Sequence, residues 1–560
     1  NKRYTGIPDP QQATMKYLRK RTLLFILSLL MFASCGRKPG EMEEGKVFRY
    51  NEAANITSLD PLYARNQANI WATSQLFNGL LQLDEDLAIR PAIAKSYQIS
   101  DDGLVYSFVL RDDVFFHDDA CFPAEKGRSV VASDFVYSFS RLVDPRLNAP
   151  GSWVMNSVSR NADGSLAVEA PSDTTLVISL SQPFPPFPGL LTMQYTAVVP
   201  FEAIEDYGEN FRSRPVGTGP FRFAYWKEGV KLVLLKNENY FEFEGEQRLP
   251  YLDAVAISFI IDRQTAFLEF IKGNLDFLSS VDASYKDEIL TPEGKLQPKY
   301  EDRFKMISKP FLNSEYLGIL VDEQTLPPDW PLLEEKVRQA INLGFDRDKM
   351  IRYLRNNIGI PAHAGFVPVG MPGFPANEGG YSYDPDRARQ LLAEAGFPGG
   401  QGLPRLTLHT NQNYLDISQF IQHELSKIGI AVAIDVMPPA TLREMTAKGE
   451  ARMFRASWIA DYPDAENYLA LFYSKNHAPA GPNYTRFSDA RFDRLYVQSL
   501  AITTNSLRKA LYREMDQILI KQAPVVFLFY DQSVRFVPKE LRGLSNNPLN
   551  HLDLRRVRID

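Results

Sequence analysis

The feature that most constrains the fold of this chain is a change of pattern at about Lys309. Before it, short runs of alternating apolar and polar residues dominate, such as LVYSFVL after the turn residues Asp101–Gly103. After it, amphipathic segments such as EEKVRQAINLGF and YLDISQFIQHELSKIGI are interleaved with strand-like runs. The first pattern predicts half-buried sheets, and the second predicts an α/β lobe. Because 560 residues exceed what one core usually supports, two or three domains are expected.

An export signal is predicted near the N-terminus. Basic residues follow Met15, and a short apolar run at 22–32 precedes Ala33, Ser34 and Cys35. This order is typical of a secretory signal, and the run is shorter than the ~20 residues of a bilayer span. Cys35 after FAS resembles the bacterial lipobox, although Phe32 stands where leucine is usual, and this implies a lipidated Cys35. An uncleaved anchor and cleavage without lipid are the alternatives.

The sequence contains few motifs that indicate catalysis, phosphate binding or metal binding. The net charge of −6 argues against nucleic acid as a main partner. The segment PVGTGPF lacks the Lys-Ser/Thr of a phosphate loop, and we interpret it as a turn whose glycines adopt positive φ. His117 beside Asp118 and Asp119 is interpreted as an exposed polar turn, with a metal site as the alternative. No H-E-x-x-H or G-x-S-x-G spacing occurs, so we expect no enzyme activity, cofactor or metal.

The segment RASWIADYPD carries two charges in a mostly apolar run. In a strand, Arg455 and Asp461 share one face, with Cα atoms about 20 Å apart, too far for an ion pair. A tripeptide or tetrapeptide spans about 10–14 Å at strand rise, and it carries an ammonium and a carboxylate that each need a partner when buried. The spacing therefore favours a peptide ligand. Alternatively, Arg455 pairs with a nearby acid such as Glu450, and Asp461 caps the YPD turn.

Several motifs occur together in a fixed order. They are SLDP, PAIAKSYQISDDGLVYSFVLRDDVFFHDD, ASDFVYSFSRLVDP, PVGTGPFRF, KVRQAINLGFDRDKM, YDPDRARQLLAEAGF and WIADYPDAENYLALF. With them, the chain from about Lys46 onward resembles the bacterial extracellular solute-binding proteins of family 5, the peptide receptors of ABC importers. The resemblance implies an α/β, two-lobed, periplasmic-binding-protein-like fold (type II, cluster C-like) with an extra N-terminal β-rich subdomain.

The resemblance also implies a division of the chain into segments. Residues 1–35 are upstream residues plus the lipoprotein signal peptide, and 36–45 are a tether. The remaining boundaries are lobe I at 46–80, 190–305 and 525–560, the extra subdomain at 81–189, and lobe II at 306–524.

The resemblance implies specific ligand-binding residues. In oligopeptide-binding members, the position of Asp461 pairs with the peptide amine, that of Arg455 helps to bind the carboxylate end, and that of Trp458 lies near the ligand. The segment after SLDP supplies an opposing strand. The predicted site residues are Asp461, Arg455, Trp458, Arg65, Asn66 and Gln67.

The implied function is peptide capture for import. We expect an exported, lipid-anchored monomer, periplasmic or at the cell surface, that delivers short peptides to an ABC permease and ATPase complex. A receptor of the same fold for an oligosaccharide, a metal chelate or haem is the main alternative, because one fold hosts many ligands. A secreted hydrolase is a third possibility that the absent motifs disfavour.

Overall fold

The computed structural model describes residues 45–282, 284–372, 374 and 379–559. The predicted leader, the lipidation predicted at Cys35 and nearly all of the predicted tether lie outside the described residues. The elements below belong to the unit that begins at Val47. None of the helices in the described ranges combines the length and the apolar character that a membrane span requires.

The strands and helices follow the expected succession of a β-rich first half and a mixed second half. The strands, in chain order, are β1 (Val47–Asn51), β2 (Leu81–Leu83), β3 (Ile89–Pro91), β4 (Ala94–Ile99), β5 (Val105–Leu110), β6 (Val168–Ser172), β7 (Thr175–Ser179), β8 (Phe221–Lys227), β9 (Lys231–Lys236), β10 (Phe243–Glu244), β11 (Gln247–Arg248), β12 (Ala254–Ser258), β13 (Leu278–Ser279), β14 (Phe304–Ile319), β15 (Ile360–Pro361), β16 (Leu406–Thr410), β17 (Val432–Val436), β18 (Met453–Ile459), β19 (Val525–Pro538), β20 (Leu541–Arg542) and β21 (Arg558–Ile559). The α-helices are α1 (Gln67–Leu76), α2 (Ala132–Leu142), α3 (Phe187–Leu190), α4 (Phe201–Tyr207), α5 (Arg263–Lys272), α6 (Lys286–Ile289), α7 (Glu335–Leu343), α8 (Arg347–Arg355), α9 (Pro385–Glu394), α10 (Leu415–Ser426), α11 (Pro439–Lys448), α12 (Glu466–Leu469), α13 (Ala490–Ala501) and α14 (Asn505–Gln522).

The first sheet joins β1, β12, β9 and β8 in that order. β1 runs parallel to β12, and the other neighbours are antiparallel. In β1, Phe48 and Tyr50 are buried while Arg49 between them is exposed, which is the period-two alternation of a half-covered sheet. The segment KVFRYNEA therefore fits the alternating pattern that predicts half-buried sheets in the first half of the chain, and its strand ends just before Glu52.

The second sheet contains the alternating run LVYSFVL, most of which forms β5. Its strands follow the order β4, β5, β7 and β6, all antiparallel. The turn at Asp101–Gly103 links β4 to β5, and Gly103 adopts a φ of +71°, which a residue with a side chain rarely does. Buried side chains of this sheet join the same apolar core as those of the first sheet, for example Phe108 and Phe48. The subdomain boundary at 81–189 thus stays a prediction, because no separate core marks it.

The third sheet belongs to the α/β half and has the order β13, β19, β14, β18, β16 and β17, with β15 also paired to β19. β14 and β19 are 16 and 14 residues long and run antiparallel, with a register shift between Pro310 and Ser314. Val537 near the end of β19 packs in the core of the first sheet, whereas Val526 near its start packs with helices of the second half. These two strands therefore run from one core to another, as expected of crossover segments. The lobe boundaries themselves stay a prediction.

Two sequence interpretations near the first sheet are wrong. Gly217 and Gly219 of PVGTGPF have no positive φ; instead, a Cβ on either would lie within 2.5 Å of the backbone of Leu76. Glycine is therefore required by close approach of two chain segments. His117 is buried rather than exposed, and its Nε2 lies 3.0 Å from the carbonyl oxygen of Gly219. Burial lowers the pKa of His117 to about 4, so the ring is neutral at pH 7 and joins these segments as an uncharged group.

Candidate ligand-binding site

A cavity of about 560 Å³ is lined by residues from both the first and the third sheet. This volume lies within the range of small-molecule sites. Its wall contains the chain after β1, the start of α1, the loop around Tyr195, the end of β18 and the middle of β19. The charged and aromatic side chains that line it are Glu52, Arg65, Trp71, Tyr195, Arg263, Phe277, Tyr285, Phe311, Asp461, Asp531 and His551.

Four of the six predicted site residues meet at this cavity although about 400 residues separate them in the chain. These four lining residues are Arg65, Asn66, Gln67 and Asp461. Arg455 and Trp458 are not among the lining residues. Among the described residues, no group of three or more His, Cys, Asp or Glu side chains is placed to hold a metal ion.

Asp461 reaches the cavity because β18 ends at Ile459 and the chain turns there. The backbone N–H of Asp461 donates to Oδ1 of Asn467 at 3.1 Å. Nδ2 of Asn467 in turn donates to the carboxylate of Asp461 at 3.4 Å. Within the described residues, Asp461 has no cationic partner. Its side chain is exposed to solvent in the cavity, yet the surrounding protein displaces enough water to raise the pKa of Asp461 above its ordinary value. A cation in the cavity would relieve that penalty.

Arg65 is an exposed cation that also lines the cavity. No carboxylate of the described ranges forms an ion pair with its guanidinium. The side chain of the next residue, Asn66, caps α1 by accepting a hydrogen bond from the backbone N–H of Asn69 at 3.0 Å. Gln67 is the first helical residue, so the opposing strand predicted for this segment is wrong at Gln67. Helix capping thereby holds Arg65 in the loop just before α1.

Tyr195 lines the cavity together with Asp461 and Arg65, and the sequence did not predict it as a site residue. Burial raises the pKa of Tyr195 to about 12; the carboxylate of Asp461 adds to this effect and the guanidinium of Arg65 opposes it. The hydroxyl therefore lies within electrostatic reach of both. Gly151 packs against the ring, where a Cβ would come within 2.2 Å of the ring carbons. No motif marks Tyr195 in the sequence, because its position depends on that distant glycine.

Arg455 has a partner of its own. Its Nη2 lies 2.5 Å from Oε2 of Glu315, and the side chains are only 13% and 3% exposed. The guanidinium also lies over the ring of Tyr414, 3.3 Å from its centre, and the Tyr414 hydroxyl donates to Oε1 of Glu315 at 3.2 Å. The alternative of an acid partner is thus realised, with Glu315 in place of Glu450. The role of Arg455 at the peptide carboxylate stays a prediction.

Trp458 also acts away from the cavity wall. Its indole N–H donates to Oδ1 of Asn467 at 2.9 Å, the same oxygen that accepts from the backbone of Asp461. Asn467 is buried at the start of α12. Trp458 therefore helps to orient Asn467, which in turn holds Asp461. A direct ligand contact of Trp458 stays a prediction.

This architecture has known counterparts. Residues 88–480 match the family model of the bacterial extracellular solute-binding proteins, family 5 (middle region). The chain belongs to this family. The predicted family and the type II α/β fold class are therefore confirmed, and the family is one of extracellular solute-binding proteins rather than of enzymes.

Relatives of this family 5 protein include characterised binding proteins. It is 27% identical over 496 residues to the glutathione-binding protein GsiB of Salmonella paratyphi A, covering 88% of this chain and 90% of GsiB. The structure is similar to Helicobacter pylori DppA in complex with the peptide STSA, with a TM-score of 0.72, 26% identity, and coverage of 90% and 97%. It is also similar to the Escherichia coli murein tripeptide binding protein MppA, with a TM-score of 0.71, 25% identity, and coverage of 92% and 99%.

Proposed function

We propose that this family 5 protein captures short peptides in the cavity and delivers them to an ABC permease and ATPase complex. Asp461 binds the peptide ammonium, and Arg65 binds the peptide carboxylate. One observation carries the proposal: a carboxylate and a guanidinium, neither ion-paired within the described ranges, line one cavity and both act on Tyr195.

The chemistry of a peptide explains this arrangement. Removing an ammonium or a carboxylate from water is unfavourable unless a charged or hydrogen-bonding partner replaces the lost hydration. Asp461 and Arg65 supply one such partner for each end. Arg65 precedes α1 and Asp461 follows β18, so a peptide bound to both joins two distant segments of the chain, which favours closure of the cavity around it.

The relatives support the same ligand class. The structure of DppA holds the peptide STSA, MppA is named for a murein tripeptide, and GsiB is named for glutathione, which is a modified tripeptide. Each of these ligands has an amine and at least one carboxylate. Native mass spectrometry of material purified without denaturation distinguishes the peptide ligand from an oligosaccharide, a chelate or haem by the mass retained.

We expect Arg65→Gln to remove the preference for a free peptide carboxylate. Calorimetry should show that the wild-type protein binds trialanine more tightly than trialanine amide by about tenfold or more, since a charge-assisted hydrogen bond contributes roughly 1.5–3 kcal/mol. The variant should bind both with equal, weaker affinity. If Arg65→Gln still prefers trialanine over trialanine amide, another cation binds the peptide carboxylate.

We also propose that Cys35 carries the lipid that anchors the protein to a bacterial membrane. The lipobox-like FASC and the preceding apolar run support this. Mass spectrometry of the N-terminal peptide of the exported protein should show a diacylated cysteine. An N-terminus at any other residue, or an unmodified Cys35, would contradict the anchor.

A further inference from the structure

A second carboxylate lines the cavity without an ion pair. Glu52 follows β1 directly and is half-buried, and its Oε1 accepts a hydrogen bond from the backbone N–H of Ala54 at 3.3 Å. Within the part of the chain that the structure describes, no cation pairs with Glu52. Burial raises the pKa of Glu52, and the backbone N–H of Ala54 opposes this rise only in part. Peptide binding through Asp461 and Arg65 leaves this group unused.

The arginine that acts on Glu52, Arg263, already forms an ion pair with another carboxylate. Arg263 at the start of α5 lies 3.4 Å from Asp282, and it lowers the pKa of Glu52 only as a minor influence beside burial. The guanidinium of Arg263 therefore interacts with the carboxylates of both Asp282 and Glu52. The third carboxylate that lines the cavity is that of Asp531, and its Oδ1 lies 3.5 Å from Nη2 of Arg355.

The residues that line the cavity carry one more negative than positive charge, and the buried Arg535 lies behind them, 5.9 and 5.7 Å from the ring centres of Trp71 and Phe277. Burial and the neighbouring Arg535 lower the pKa of His551 to about 4, so this lining residue is neutral at pH 7. The charged residues that line the cavity in the described ranges are three carboxylates and two guanidiniums: Glu52, Asp461, Asp531, Arg65 and Arg263. Three of these residues, Glu52, Asp461 and Arg65, have no ion-pair partner in the described ranges, so a ligand with two cationic groups and one anionic group can pair with all three.

Building on the proposed function, we propose that the cavity selects short peptides with one basic side chain and that Glu52 binds the cation of that side chain. Glu52 and Asp461 extend from different sheets, so the side-chain cation and the terminal ammonium have separate acceptors. Trp71 and Phe277, packed edge to face at 5.8 Å, also line the cavity and supply apolar surface for the methylene stem of a lysine or arginine.

Calorimetry with tripeptides that carry lysine or norleucine in turn at each position of trialanine tests this proposal. The two side chains have the same stem and differ in the ammonium. With the wild-type protein, lysine at one position should bind about tenfold or more tightly than norleucine there, and glutamate there should bind more weakly than norleucine. Glu52→Gln should remove the preference for lysine over norleucine, while trialanine should still bind.

A matched control and two contrary outcomes complete the test. Glu246→Gln makes the same charge change on an exposed turn outside the cavity and should leave every affinity unchanged. Glu52→Asp keeps the charge and should keep the preference, which separates a charge effect from a folding defect. Equal binding of lysine and norleucine peptides overturns the selection of basic peptides while peptide capture stands. If no tripeptide binds at all, the proposed function itself is wrong.

Discussion

Asp461→Asn is expected to weaken the binding of short peptides by about 2–4 kcal/mol, or roughly 30- to 1,000-fold. Asparagine has nearly the same shape, so the hydrogen bond between the backbone N–H of residue 461 and Asn467 is retained. The variant lacks the charge that pairs with the peptide ammonium. Calorimetry at neutral pH measures the loss, and an N-acetylated peptide should bind the wild-type protein as weakly as the free peptide binds the variant.

The same carboxylate makes affinity depend on pH. Burial raises the pKa of Asp461 in the free protein, and a bound ammonium lowers it again. Affinity is therefore full above the raised pKa and falls as the pH drops through it, a fall that Asp461→Asn should lack. Asp329→Asn, on an exposed segment outside the cavity, serves as control and should behave as the wild type. Unaltered affinity in Asp461→Asn would exclude Asp461 as the amine acceptor.

Arg455→Met is expected to lower the free energy of unfolding by about 3–5 kcal/mol. The change leaves the carboxylate of Glu315, which is 3% exposed, without its cation. Burial already raises the pKa of Glu315 and Arg455 opposes that shift, so the variant should protonate this group more readily. In Glu315→Gln/Arg455→Met, both charges of this pair are removed, and most of the lost stability should return. Urea unfolding followed by circular dichroism measures all three variants.

The double variant also tests the role predicted for Arg455 from the sequence. If Arg455 binds the peptide carboxylate, the folded double variant should lose the preference for trialanine over its amide. If the ion pair with Glu315 is structural, that preference persists and Arg65 carries it. A double variant as unstable as Arg455→Met would show that the ion pair is not the source of the instability.

Local pattern was sufficient for much of the fold. The alternation in KVFRYNEA predicted β1, and the DDG turn between alternating runs predicted the pairing of β4 with β5, because burial on one face and turn geometry act over a few residues. The order of the motifs placed the chain in its family. The glycines of PVGTGPF were found but misinterpreted, because their constraint is the backbone of Leu76, about 140 residues earlier.

For the candidate site, too, the sequence predicted residues that bind a ligand but not the contacts between distant segments. Asp461 and the segment at Arg65 were predicted from the chemistry of a zwitterion and from family resemblance, and the structure brings them to one cavity. The partner of Arg455 could not be predicted, because Glu315 lies 140 residues away on β14 and becomes its diagonal neighbour only when β14 pairs with β18.

The sequence by itself determined which charges this protein carries, which segments form strands and helices, and which family the chain joins, since these depend on residue type, local periodicity and motif order. Only the tertiary structure decided which charges neutralise one another and which remain for a ligand. That choice depends on strand register and on distances between segments hundreds of residues apart, over which electrostatic interactions act and local sequence patterns do not. Arg455 and Glu315 consequently became partners inside the sheet, while Glu52, Arg65 and Asp461 remained at the cavity.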